Sequence, residues 1–186
     1  MANAILKNDV IMAGIGGMGV LMAGKLLAWA ALEKHKYVSW LPSYGVEKRG
    51  GVCECTVIFS NSEISSPLLD QAKTLIVFAG SQLGTFESRV NGNGIMLIDS
   101  ADIKEEAKRS DYKLIKIPAV KTAHEKGDSK ISNLIMLGAY IGATQVLSHE
   151  LVQETVKKNL GKDDVTKNRN KEAIQLGIKL GSAAMQ

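Results

Sequence analysis

The stretch Gly14-Ile15-Gly16-Gly17-Met18-Gly19 is the first place where residue types and spacing point to chemistry. It follows the apolar run Val10 to Ala13 and opens a long helical pattern, so it reads as a strand, a glycine turn and a helix start. Glycines let the chain turn sharply and approach a ligand with no Cβ in the way, and unpaired N–H groups at the helix start favour negative charge. The same spacing also suits a tight turn that merely packs a helix on a sheet. A second segment, Tyr44-Gly45-Val46-Glu47-Lys48-Arg49-Gly50-Gly51, sets three charged residues in a glycine-flanked loop. There Arg49 either forks two hydrogen bonds to a phosphate or carboxylate, or pairs with Glu47 and other local groups to hold a turn. Gly50 and Gly51 permit close backbone approach, and Trp40 and Tyr44 supply apolar contact area nearby.

The remaining reactive residue types argue for structure. Cys53 and Cys55 fall two apart in an alternating strand, on the face of Val57 and Phe59, where free cysteine behaves as a small hydrophobe. His35, His124 and His149 are scattered and suggest no nucleophile–base pair. Asp99 and Ser100 end an apolar run, a position where α/β proteins bind ligands and where a cap for the next segment is equally served.

The elements that must position these groups alternate. Strands are expected near Asp9–Ala13, Tyr37–Leu41, Val52–Ser60, Thr74–Ala79, Ile95–Ile98 and Lys113–Ile117. Helices are expected near Met18–Glu33, Leu68–Ala72, Gln82–Arg89 and Asp102–Arg109, followed by a helical C-terminal third. Ser66 with Pro67, and Asp102 with Glu105, read as helix starts. Thr74–Ala79 and Ile95–Ile98 are continuously apolar, as in central strands covered on both faces, while Val52–Ser60 alternates and suits an antiparallel strand. The fold class is therefore α/β: a three-layer α/β/α single domain over residues 1–186, with a mostly parallel, mixed sheet and a Rossmann-like glycine turn after the first strand.

Composition narrows the function classes. At 186 residues, 45% of them apolar, the chain supports one sizeable core. A net charge of +4 and an aromatic content of 5% do not suit a nucleic-acid groove, so no nucleic-acid partner is expected. The N-terminus has no signal-type pattern, which implies a cytoplasmic protein. The longest uncharged stretch, Ile131–Ser148, holds Ser132, Asn133, Thr144 and Gln145 and reads as a buried helix, leaving no membrane partner. Its small residues Gly138, Ala139, Gly142 and Ala143 would let it lie close against another element.

A nicotinamide reading meets an obstacle. A dinucleotide-binding unit ends the strand after its glycine helix in an acid that holds the ribose, and Tyr37-Val38-Ser39-Trp40-Leu41-Pro42 carries none. A stand-alone NAD- or FAD-binding oxidoreductase and a metabolite-binding regulatory module remain the rival readings.

Taken together, Gly14 to Gly19, then Leu41-Pro42-Ser43-Tyr44 through Gly51, then Ser62-Glu63-Ile64-Ser65-Ser66-Pro67 resemble the gamma subunit of a 2-oxoacid:ferredoxin oxidoreductase. The block Ile117-Pro118-Ala119 through Gly127 to Asn133-Leu134-Ile135-Met136-Leu137-Gly138 extends the likeness, which runs from Asp9 to at least Leu147. Met18 departs from the glutamine common in the family's glycine turn. The resemblance implies an accessory subunit of an enzyme that decarboxylates a 2-oxoacid with coenzyme A, giving acyl-CoA, carbon dioxide and reduced ferredoxin. It places 2-oxoglutarate first, with pyruvate and branched-chain or aryl 2-oxoacids behind. Thiamine diphosphate, magnesium and iron–sulfur clusters are then expected on partner alpha, beta and ferredoxin-like delta subunits, with ferredoxin as acceptor. This chain has no Gly-Asp-Gly motif for the thiamine cofactor and two cysteines, fewer than a cluster needs. No catalytic residue and no metal ligand is expected here. The resemblance makes Gly14, Gly16, Gly17, Gly19, Ser43, Tyr44, Gly45, Glu47, Arg49, Gly50, Gly51 and Asn133 the candidate ligand or subunit-interface residues, with Arg49 facing a phosphate of coenzyme A or a partner carboxylate.

Overall fold

The computed structural model describes residues 7–45 and 50–186, Tyr44 by its backbone alone. Six strands, β1 (Asn8–Ile15), β2 (Tyr37–Tyr44), β3 (Val52–Ser60), β4 (Ala72–Val77), β5 (Val90–Asp99) and β6 (Lys113–Ile117), form one sheet in the order β2-β3-β1-β4-β5-β6. β3 runs antiparallel to both neighbours, and β1, β4, β5 and β6 are parallel. The sheet is thus mostly parallel and mixed, as the alternation of Val52–Ser60 implies. The C-terminal ends of β1, β2, β4, β5 and β6 share one edge with the start of β3, and that edge carries the glycine turn.

The two faces of the sheet are filled by alternate residues. Val10 and Met12 join Cys53, Cys55, Val57, Phe59, Ile76 and Leu97 under a thick helical layer. That layer comprises α1 (Val20–Leu32), α3 (Ala119–Glu125), α4 (Ser132–Thr144), α5 (His149–Asn159) and α6 (Asp164–Ala183). Ile11, Ala13, Leu75, Val77, Met96 and Ile98 point the other way, beneath Leu83 and Phe86 of the short α2 (Leu83–Phe86). The third layer is therefore thin: α2 with a 3-10 turn at either end, backed by loops.

α4 lies against α6 at backbone distance. A Cβ on Gly138 would press on the carbonyl oxygen of Ile174, one on Gly142 on that of Ile178, and one on Gly181 on that of Ala139. The small residues expected to allow a close approach do so, within this chain. Among the described residues no helix is long and apolar enough to cross a membrane.

Two expected helices are absent. Residues 68–71 form no helix and Ala72 already belongs to β4; Ser66 accepts a hydrogen bond from the N–H of Leu68 (3.1 Å), closing a local turn where a helix cap was expected. Residues 102–109 are irregular, and Asp102 sits in left-handed backbone (φ 57°). Glu87 organises that segment: its carboxylate accepts from the N–H groups of Lys108 (3.1 Å) and Arg109 (2.9 Å) and from the Tyr112 hydroxyl (2.9 Å). Arg109 in turn donates to the carbonyls of Glu87 and Val90. The expected helix Gln82–Arg89 is broken into α2 and its flanking turns, and β5 begins at Val90, five residues before the expected Ile95.

Candidate functional site

β1 ends at Ile15 because Gly16 and Gly17 form a turn that delivers the chain to α1. Gly19 is the N-cap residue of α1 in left-handed backbone (φ 77°), a conformation in which a Cβ is strained. It also lacks room for one: a Cβ there would collide with the side-chain amide of Asn133, whose Nδ2 donates to the Gly19 carbonyl (3.2 Å). Gly17 (φ 103°) is the opposite case, exposed and with nothing within 4 Å of a notional Cβ. Gly14 lies under the turn, where a side chain would press on Phe78 and Val20.

The second motif meets the first across the sheet. Tyr44 pairs with Cys53 on β3, and Cys53 pairs with Gly14 on β1, so both motifs leave the sheet at one level. Beyond the strands, the N–H of Gly16 donates to the carbonyl of Gly51 (2.8 Å), and the N–H of Gly50 donates to the carbonyl of Gly16 (3.3 Å). Ser43, Gly45 and Gly50 are exposed beside this junction. Gly14, Gly16, Gly17, Gly19, Ser43, Tyr44, Gly45, Gly50, Gly51 and Asn133 therefore gather at one edge. Glu47 and Arg49, with Val46 and Lys48, lie outside the described residues. The Ser62–Pro67 block follows the far end of β3 and belongs to the opposite edge.

Asn133 brings the third block of sequence to the turn. It is buried near the start of α4, and its amide braces the first turn of α1 from the side. α1 has no acidic residue in its first turn, so the positive end of its dipole is uncompensated, whereas α4 continues from a 3-10 turn capped by the Asp128 carboxylate. The edge can hold an anionic group through backbone N–H groups, or receive a partner's main chain against exposed glycines.

Nearby reactive groups serve the fold. Burial pushes the Cys55 thiol up to about 12, with Trp40 beside it a lesser opposing influence, and its Sγ faces the Val20 carbonyl. Cys53 is also raised by burial. Asp99 takes the capping alternative: its carboxylate accepts from the N–H of Ala101 and of Val120 in α3, both at 2.8 Å. Burial raises its carboxyl while these N–H groups oppose the shift. His35 packs on Phe59 with ring centroids 5.0 Å apart, and burial lowers its imidazole. Among the described residues no three His, Cys, Asp or Glu side chains group as metal ligands. Val52, 49% exposed and paired with Ile15, sits on this rim although an alternating strand start reads as core; only its position one residue after Gly51 signals it in the sequence.

Known proteins share the sequence and the fold. The chain is 35% identical over 159 residues to ketoisovalerate oxidoreductase subunit VorA of Methanothermobacter marburgensis, covering 84% of this chain and 33% of that protein. It is 30% identical over 182 residues to 2-oxoglutarate synthase subunit KorC of Methanothermobacter thermautotrophicus, covering 94% and 95%. The chain thus spans about a third of VorA and nearly all of KorC. The fold superposes on a chain of the 2-oxoglutarate:ferredoxin oxidoreductase of Magnetococcus marinus, a structure described as holding 2-oxoglutarate, coenzyme A and succinyl-CoA, with a TM-score of 0.87 at 21% identity, covering 95% of this chain and 31% of that one. Residues 9–180 match the pyruvate ferredoxin/flavodoxin oxidoreductase family, and the chain belongs to it.

Proposed function

We propose that this chain is the gamma subunit of a thiamine diphosphate-dependent 2-oxoacid:ferredoxin oxidoreductase, an enzyme of the EC 1.2.7 class. The observation that carries the reading is the convergence of three distant sequence blocks on one glycine-lined edge, which among the described residues holds no metal-ligand cluster and no reactive thiol. The first motif, the second motif and Asn133 are tied together by main-chain and amide hydrogen bonds. In VorA and the Magnetococcus enzyme the same unit is about a third of a longer polypeptide, whereas KorC is a separate subunit of matching length. A unit that occurs both fused and free is a module that works beside others.

In this reading thiamine diphosphate, magnesium and iron–sulfur clusters reside on alpha, beta and delta subunits, where they supply the decarboxylation and electron transfer to ferredoxin in the cytoplasm. This chain's residues bind and orient. The exposed glycines Gly17 and Gly50, beside the half-buried Gly16 and Gly51 and the positive end of α1, receive the phosphates of coenzyme A or the main chain of a partner. Ser43 and Gly45 flank that surface. The substrate is 2-oxoglutarate, supported by the near full-length match to KorC. Fold order counts against the NAD or FAD alternative: β3 separates β2 from β1, so the end of β2 does not lie beside the glycine turn as a ribose-binding strand must.

The test is to purify the tagged chain from its native cells and assay 2-oxoglutarate-dependent, coenzyme A-dependent viologen reduction, then repeat with Gly17→Val. The wild-type assembly should be active, and Gly17→Val should raise the coenzyme A KM or weaken assembly by about tenfold, roughly 1.4 kcal/mol. Tight NAD binding by the isolated chain, without partners, would sink the proposal.

A further inference from the structure

α1 is apolar on every side, although it lies in the outer layer of the fold. Its thirteen residues include one charge, Lys25. A helix of this composition is normally buried all round. Val20, Ala23, Gly24, Leu26, Leu27, Ala30 and Ala31 are indeed buried against the sheet and neighbouring helices. Met22, Lys25, Trp29 and Leu32, spaced by three and four residues, share the opposite arc. Met22 is 38% exposed and Leu32 58%, with Leu21 and Trp29 half-buried beside them. α5 and α6, the other outer helices, present charged residues such as Lys157, Lys158 and Lys179 to solvent.

Lys25 indicates what covers this arc. Its ammonium lies 4.8 Å from the ring centroid of Trp29 and 5.9 Å from that of Trp40, held over two aromatic faces on an otherwise uncharged surface. Among the described residues no carboxylate makes an ion pair with it. A second copy related by a two-fold axis through the middle of this arc would set two ammonium groups against each other. The arc also runs into the glycine turn through Met18, so a partner seated on the turn is placed to continue along α1.

We infer that the Met22–Lys25–Trp29–Leu32 arc of α1 is a docking surface for an apolar segment of another subunit of the complex, one that carries a carboxylate opposite Lys25. This rests on the subunit reading above and names the face through which the chain joins. The apolar pair Met22 and Leu32 supplies desolvated area, and the carboxylate selects the partner and its register.

The experiment compares tagged wild-type chain with Met22→Glu, Leu32→Glu, Lys25→Glu and Lys25→Arg, each isolated from source cells, by the mass and yield of the assembly. Met22→Glu, Leu32→Glu and Lys25→Glu should cut assembly by about tenfold or more, as charges placed in an interface core do. Lys25→Arg should assemble as wild type. Met22→Glu, Leu32→Glu and Lys25→Arg should melt as wild type alone, because Met22 and Leu32 are exposed and arginine keeps the cation over Trp29 and Trp40, whereas Lys25→Glu loses that contact and should melt slightly lower. Wild-type assembly with unchanged assembly of the glutamate variants would overturn the docking surface and leave the subunit reading standing. A stable dimer of the isolated wild-type chain, broken by Leu32→Glu, would overturn it in favour of self-association. Wild-type chain that never leaves the 20.0 kDa monomer in source cells would bring down the subunit reading and this inference together.

Discussion

At the scale of single residues, the glycine turn separates two roles that look alike in sequence. Gly19 and Gly17 both have positive φ, yet one faces a filled space and the other an open one. Gly19→Ala must strain the backbone and push Asn133 from the Gly19 carbonyl, so we expect a loss of about 2–3 kcal/mol in urea unfolding. Gly17→Ala meets only the backbone strain and should cost about 1 kcal/mol. Equal losses would show that Asn133 contributes nothing to the turn. The presence of a turn was legible from the glycine spacing, but the division of labour was not. It depends on Asn133, which lies 114 residues away and is brought to the turn by the packing of α4.

At the scale of elements, strands were easier to read than short helices. Continuous or alternating apolar runs located all six strands, because a strand's pattern reflects the faces it buries. Residues 102–109 show why local signals failed elsewhere. Asp102 and Glu105 imitate a capping box and the segment is rich in helix formers, but it lacks an apolar stripe to bury. Glu87 decides its path instead. Burial alone would raise the Glu87 carboxyl, yet the N–H groups of Arg109 and Lys108 and the Tyr112 hydroxyl bring it below the ordinary carboxylate value. A carboxyl lowered in the folded state adds stability that is present above its unfolded value and is lost as the pH falls through its folded value. Glu87→Gln removes the charge and turns an N–H toward donors, so it should cost about 1–3 kcal/mol at neutral pH. The gap between wild type and variant should shrink as the pH drops below about 4. A constant gap from neutral to acid, measured by denaturant titration at each pH, would rule out the ionised carboxylate as the organiser of this loop.

For the whole molecule, the fold class follows from alternation of elements, while the thinness of the third layer does not, since it comes from loops held by Glu87 and Arg109. The site edge was legible as two motifs, and their contact was not, because the pairing of Gly16 with Gly50 and Gly51 requires β3 to insert antiparallel beside β1. That insertion also keeps the end of β2 from lying beside the glycine turn, which counts against a dinucleotide site there. The chain's inventory sets the last expectation. Two cysteines, both buried and raised by burial, cannot supply the four thiolates of an iron–sulfur cluster, and the start of α1 offers main-chain N–H groups, which can attract an anion and cannot carry electrons. Chain purified alone and free of partners should therefore reduce no viologen with 2-oxoglutarate and coenzyme A, and rate should appear in proportion to added chain when it is mixed with the remaining subunits. Turnover by the lone chain would mean that chemistry, and not only positioning, is built into this edge; turnover by the other subunits at full rate without it would mean that the edge positions nothing.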